Sequence, residues 1–110
     1  MTELHLLVVR HQAAPEEIAK HTPGHIAYLD RYHASGVFLV SGQTLREEEG
    51  GAIVAAGVDR AEIERIAAED PFLSNRVSTY EITTITVRRS HEQLTGLVGG
   101  RTAGPAPVEA

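Results

Sequence analysis

The sequence predicts an α+β protein of the ferredoxin-like kind, with one four-stranded antiparallel sheet and both helices on one face. Three observations carry that expectation. Apolar strand-like runs and helix-start signals alternate in the order β-α-β-β-α-β. The chain has 110 residues, which is enough for one core and one domain. The run STYEITTITV is rich in β-branched residues, as the closing strand of such a pattern should be.

Each element has its own local reason. LHLLVVR (residues 4–10) is short and apolar and suits a buried strand. Pro15 fits the first turn of a helix, where Glu16 and Glu17 complement the positive end of the dipole. A second start signal lies inside the stretch KHTPGHIAYLDRYHASG, with Thr22 as a cap, Pro23 at the first helical position and Gly36 as the stop. The expectation is a helix over residues 15–34 in two segments, broken near His21 because Pro23 disfavours helical geometry at Thr22. VFLVS (residues 37–41) and AIVAAG (52–57) are the second and third strands, and GQTLREEEGG between them reads as a solvated loop. Asp59 with Glu62 three residues later starts the second helix, whose apolar side carries Ile63, Ile66 and Ala67. That helix ends near Asp70, because Pro71 follows. Residues 78–87 form the fourth strand. Residues 1–90 thus make the domain, and residues 91–110, ending in small residues, Gly and Pro, read as a flexible tail.

The strands carry apolar side chains at both parities. Leu4, Leu6 and Val8 alternate with Leu7 and Val9, and Tyr80 and Ile82 oppose Ile85 and Val87. A sheet covered on one face should alternate apolar with polar residues. A bulge or partial exposure would account for the excess, but a homodimer that buries the open face accounts for it better.

Composition excludes several classes. There is no cysteine, so disulfides, thiolate metal sites and thiol nucleophiles are ruled out. With 10 Lys+Arg against 15 Asp+Glu the net charge is −5, and no basic field exists for nucleic acid or an anionic membrane. The first residues, MTELHLLVVRHQ, have too short an apolar run and too little basic character to read as a signal peptide, and no run approaches the roughly 20 apolar residues of a membrane span. The expectation is a soluble cytoplasmic protein. No nucleotide cofactor is expected, since Gly50-Gly51 and Gly99-Gly100 lack a strand–loop–helix context.

The histidine-rich stretch is where chemistry is sought. His25 falls in the first turn of the second helical segment, where the dipole favours a neutral imidazole able to accept a proton. His25, Tyr28 and Tyr32 form one stripe at helical spacing, although ordinary half-buried helix residues give the same pattern. A metal site is not expected. His21 and His25 stand four apart, but Pro23 interrupts their alignment, and no third ligand with zinc-site spacing is present.

The segments GHIAYL (residues 24–29), SGVFLVSGQ (35–43) and AAEDPF (67–72) resemble, in order and spacing, the YCII-related family of small bacterial proteins. The resemblance covers roughly residues 4 to 88. It implies a ferredoxin-like dimer, the dimeric α/β barrel, with a cleft in which a histidine and an aspartate form an acid–base dyad. Those residues fall here on His25 and Asp70. The activity it implies is proton transfer with elimination, as in dehydrochlorination of hydroxylated aromatics. The family's Arg-Pro-x-His is here Thr22-Pro23-Gly24-His25, which lacks the cation, and its Ala-Gly-Pro is Ser41-Gly42-Gln43.

The catalytic candidates are therefore His25 and Asp70, with Asp70 on its own equally an ordinary turn residue before proline. Tyr28, Ser41, Gln43, Phe72 and Arg10 are candidates for substrate contact. Two classes of function follow: a small-molecule lyase or isomerase without cofactor, or a non-catalytic dimeric module that binds a metabolite or partner in the same cleft. A cofactor-free monooxygenase-like barrel shares the fold by analogy alone.

Overall fold

The computed structural model describes residues 2–46 and 49–102. Its main body runs β1 (Glu3–His11), α1 (Pro15–Ser35), β2 (Phe38–Gly42), β3 (Glu49–Ala56), α2 (Arg60–Ala67), α3 (Pro71–Ser74) and β4 (Ser78–Thr86). The four strands form one antiparallel sheet in the order β2-β3-β1-β4, which is the ferredoxin-like topology. A short segment follows, made of β5 (Arg89–Ser90), α4 (Thr95–Val98) and β6 (Arg101–Thr102).

Strand parity decides which side chains meet the helices. His5, Leu7 and Val9 of β1 are buried, and their register partners on the same side include Ala55 and Ile53 of β3 and Ile82 and Tyr80 of β4. On this face Leu7, Phe38, Ile53 and Ala55 pack with Tyr28 of α1 and with Ile63, Ile66 and Ala67 of α2. His5 belongs to the core and is fully bonded: its Nδ1 meets Thr84 Oγ1 at 2.8 Å and its Nε2 meets the Val58 carbonyl at 2.8 Å.

The opposite face holds Leu4, Leu6 and Val8 with Val54, Val40 and Ile85, and Leu6, Val40 and Ile85 are exposed. The segment after β4 covers one end of it. Val98 is buried against Ala56 and Val87, with Leu4 and Leu39 beside them. Residues 91–110 were expected to form a tail; ordered elements extend as far as Thr102, and residues 103–110 lie outside the described residues.

Local signals explain most of the helix ends. Asp59 caps α2 by accepting the Glu62 N–H. Gly36 ends α1 at φ 89, a left-handed conformation that glycine adopts without strain. The expected break at Pro23 does not occur. α1 is one continuous helix with Pro23 in its interior, and Thr22 is not a cap: its hydroxyl donates to the Ile18 carbonyl. The missing N–H of Pro23 costs one intrahelical bond, and the burial of His25 and Tyr28 beyond it holds the second half in line. The dipole argument for His25 falls with the break, since the residue lies in the middle of the helix rather than in a first turn.

Candidate active site

Three elements bring the site together. Gly24 has no side chain, and a Cβ there would lie 3.1 Å from Pro71 Cγ, so α1 passes close to the start of α3. That approach sets His25 beside Asp70 and Phe72. Asp70 does not end a long helix, as the sequence suggested. α2 stops at Ala67, and Asp70 caps the short α3 by accepting the Phe72 N–H at 2.9 Å on Oδ1.

The carboxylate of Asp70 is completely inaccessible to solvent. Its Oδ2 accepts from His25 Nδ1 at 2.8 Å and from the Tyr80 hydroxyl in a short hydrogen bond. The Phe72 N–H and the Tyr80 hydroxyl donate to the carboxylate and His25 Nδ1 faces it, so its buried oxygens are met by hydrogen bonds. The arrangement also fixes the imidazole. With Nδ1 donating to Asp70, the neutral tautomer of His25 presents the Nε2 lone pair away from the carboxylate. The His25 ring stacks on Phe72 with centroids 4.1 Å apart and planes 11° from parallel, which holds its orientation.

The neighbouring tyrosines are tuned by burial. Tyr80 is pushed well above the usual phenol range by burial first, then by Tyr28 and Asp70 nearby. Tyr28 moves in the same direction, again chiefly by burial. Both phenols are neutral donors at any ordinary pH. The Tyr28 hydroxyl has that of Tyr80 beside it, and their hydrogen-bond interaction contributes to the shifts of both phenols; at strict hydrogen-bond geometry it has no partner among the described residues.

His25 opens onto a cavity of about 300 Å³ between α1 and the sheet. Its apolar walls include Val9, Ile18, Leu29, Ile53 and Phe72, and its polar groups include Thr22, Ser41 and Gln43. The described residues that line it include no Asp, Glu, Lys or Arg. The floor is a bulge. Val9 pairs with Gly51 and Arg10 with Glu49, so Gly50 is left over between them. Gly51 has φ +127, and a Cβ there would meet the Gly42 carbonyl at 2.7 Å, so only glycine fits. The paired glycines and Glu49 thus belong to β3, not to the loop expected from sequence; Glu47 and Glu48 lie outside the described residues.

The expected site residues divide into three groups. His25, Phe72, Ser41 and Gln43 line the cavity, with Asp70 directly behind His25. Ser41 Oγ also meets His33 Nε2 at 2.8 Å, and the Gln43 amide donates to the Glu49 carbonyl at 3.0 Å, so both are braced. Tyr28 is a core residue, packed edge-on against Phe38 and outside the cavity lining. Arg10 is not at the cleft. It shares strand parity with Leu6 and Val8, faces the open side of the sheet, and donates to Glu49 at 3.1 Å and to Glu81 at 3.0 Å. These partners, the Glu81 hydrogen bond foremost, raise its already high pKa.

Tyr80, His11 and Ser78 were not identified from sequence. All lie on the helix-covered face near the end of the β1–β4 pair, where Val9 aligns with Tyr80 and His11 with Ser78. Continuous helical geometry does place His21 and His25 four apart on α1, yet among the described residues no group of three His, Asp or Glu side chains could hold a metal ion.

The fold and the cleft define a ferredoxin-like α+β protein with a buried His–Asp pair at a small cavity. The chain matches the YCII-related domain over residues 3–87 and belongs to that family. No protein of curated function matches it. It is similar to the solved 5-chloro-2-hydroxyhydroquinone dehydrochlorinase TftG from Burkholderia phenoliruptrix AC1100, in complex with 2,5-dihydroxybenzoquinone. The TM-score is 0.61 at 17% identity, over 79% of this chain and 95% of that one. A mutant of SnoaB, a cofactor-independent oxygenase from Streptomyces nogalater, aligns with a TM-score of 0.45 at 17% identity, over 83% of this chain and 97% of that one. No helix of the described residues is long and apolar enough to cross a membrane.

Proposed function

We propose that this protein is a cofactor-independent acid–base enzyme of the lyase or isomerase type, with His25 as general base and Asp70 as the residue that orients it. The observation that carries this is the hydrogen bond from His25 Nδ1 to a carboxylate that is itself held by the Tyr80 hydroxyl and the Phe72 N–H. Such a pair fixes the tautomer and stabilises the imidazolium that forms when Nε2 takes a proton. The C–H or O–H bonding pair passes into the substrate's π system. In an elimination, a leaving group such as chloride then departs with its own bonding pair.

The cavity supports a substrate class. Its volume, about 300 Å³, suits a single ring, and among the described residues its lining carries polar groups but no Asp, Glu, Lys or Arg. Both features favour an uncharged, hydroxylated aromatic or enolisable metabolite. The resemblance in fold to a dehydrochlorinase makes chlorinated phenols the first compounds to try. The apolar open face, with Leu6, Val40 and Ile85 exposed, supports a homodimer formed through the sheet.

The test is a panel of hydroxylated and chlorinated monocyclic aromatics, followed for chloride release and for change in the ultraviolet spectrum. Turnover by the wild type that is lost in His25→Ala supports the enzyme. Tight binding of a panel member with no turnover at all would favour a metabolite-binding module instead.

A further inference from the structure

Besides His25, a second imidazole faces the same cavity. His11 is the last residue of β1, and three neighbours hold its ring. Its Nδ1 lies 2.7 Å from the hydroxyl of Ser78, its register partner on β4, and Ser78 is buried. Its ring meets Phe72 edge-on, with centroids 5.5 Å apart, while a face of Phe72 stacks on His25. The third neighbour is Gly50. A Cβ at that position would lie 2.4 Å from His11 Cε1 and 2.6 Å from Nε2, so the ring occupies space that any other residue would fill. Among the described residues His11 Nε2 has no hydrogen-bond partner.

We propose that His11 is a substrate-contacting residue of the cleft: with Ser78 donating to Nδ1, its Nε2–H meets the substrate oxygen on which charge develops as His25 removes a proton. This rests on the acid–base reading of His25 given above. The chemistry balances with one proton moved. The bond to the abstracted hydrogen breaks and an N–H bond forms at His25 Nε2. The electron pair becomes an enolate or phenolate, and His11 holds its oxygen by hydrogen bond without losing its own proton. A neutral ring suits that task, and the surroundings favour one: burial lowers the pKa of His11, and His25 nearby lowers it further. When His25 gains its proton, a second cation at His11 becomes still less favourable. One imidazole is thus paired with a carboxylate and takes charge, while the other is paired with a hydroxyl and stays neutral. Two titratable groups whose environments push them apart are a recurrent acid–base arrangement.

Two measurements test this separately from the general reading. The first needs no ligand. Two-bond ¹H–¹⁵N correlation spectra of the full chain near neutral pH, assigned with His11→Phe, report the tautomer of each imidazole. His11 should be neutral with its proton on Nε2, and His25 should carry its proton on Nδ1. A proton on His11 Nδ1, or a cationic His11, would overturn the proposal and leave the His25 reading intact.

The second uses 4-nitrophenol, whose anion absorbs in the visible, as a probe of oxyanion binding. His11→Phe keeps the ring against Phe72 and Gly50 but removes the donor. It should weaken binding of the anion by about 10-fold or more, while His11→Gln, which retains a donor near Nε2, should recover much of the loss. Equal affinity in wild type and His11→Phe would overturn the proposal. On any substrate that the wild type turns over, His11→Phe should lower kcat by about 10²-fold, the scale of losing one oxyanion donor, with a smaller effect on KM. Ser78→Ala, which acts only through the tautomer, should lower kcat less and allow the Nδ1–H form to appear in the spectra.

Discussion

Replacing Tyr80 by Phe isolates one donor to the buried carboxylate, and replacing Tyr28 by Phe supplies its control. The two phenols are adjacent and both lie largely out of solvent, but their hydroxyls have different fates. Tyr80 donates to Asp70 Oδ2; the Tyr28 hydroxyl has no hydrogen-bond partner among the described residues. Tyr80→Phe keeps the ring and opens no cavity larger than one oxygen. It removes a hydrogen bond to a charged group that solvent cannot reach, which costs about 1.5–3 kcal/mol. For a domain of this size a loss of about 2 kcal/mol lowers Tm by roughly 10 °C. Tyr28→Phe removes a hydroxyl that makes no well-formed hydrogen bond and has only that of Tyr80 beside it, so it should cost clearly less, within about 1 kcal/mol of zero. Urea unfolding followed by circular dichroism measures both, with unchanged slopes as the check that only the native state is affected. Equal destabilisation by the two variants, or a Tyr80→Phe effect within about 0.5 kcal/mol of zero, would refute the assignment of donors to Asp70.

Other consequences concern packing, assembly and pH. Val98 is buried on Ala56 and Val87, so Val98→Ala should cost about 1–2 kcal/mol, and deleting residues 95–110 should lower Tm clearly; no change on deletion would mean that α4 does not dock. Light scattering at micromolar concentration should give the mass of a dimer, and Leu6→Glu, on the exposed apolar face, should give a monomer; a monomeric wild type contradicts the proposed assembly. Because His11 is held below the usual imidazole range, the unfolded chain takes up its proton first as pH falls. The stability it contributes is complete above about pH 6.5, the unfolded value, and is lost as pH falls through the folded value. His11→Gln should therefore flatten the dependence of the urea midpoint on pH over that interval, and an unchanged slope would show that His11 titrates alike in both states.

Much of the fold was legible because its signals are local. The Asp59 cap is written in D-x-x-E spacing, the end of α1 in Gly36, and the closing strand in STYEITTITV. The excess of apolar residues on both parities of β1 and β4 anticipated the exposed patch of Leu6 and Ile85. Pro23 misled for a physical reason: the local preference for a break is outweighed by the burial of His25 and Tyr28 beyond it, with Ile18 partly buried before it, which sequence alone does not display. Arg10 was in fact decidable from alternation, since it continues the parity of Leu4, Leu6 and Val8 away from the helices. The meeting of His25 with Asp70 followed from the resemblance and not from spacing. Tyr80, Ser78 and His11 remained hidden because their roles depend on the register of β1 against β4, strands joined through the whole length of the domain. No turn geometry pins such a pairing, and the bulge at Gly50 that admits the His11 ring is visible only once β1 and β3 are aligned.

The most direct test of the proposed chemistry is a double-mutant cycle on His25 and Asp70, measured on the first substrate that the panel yields. His25→Ala removes the proton acceptor, and Asp70→Asn keeps the packing but no longer fixes the Nδ1–H tautomer. Each should lower kcat by about 10²-fold or more, the scale of general acid–base catalysis, while binding of an unreactive analogue stays nearly unchanged. The double variant should be little worse than His25→Ala alone, because the two side chains act as one unit. Full turnover by His25→Ala, or losses that simply multiply in the double variant, would contradict the assignment of His25 and Asp70 as base and orienting partner.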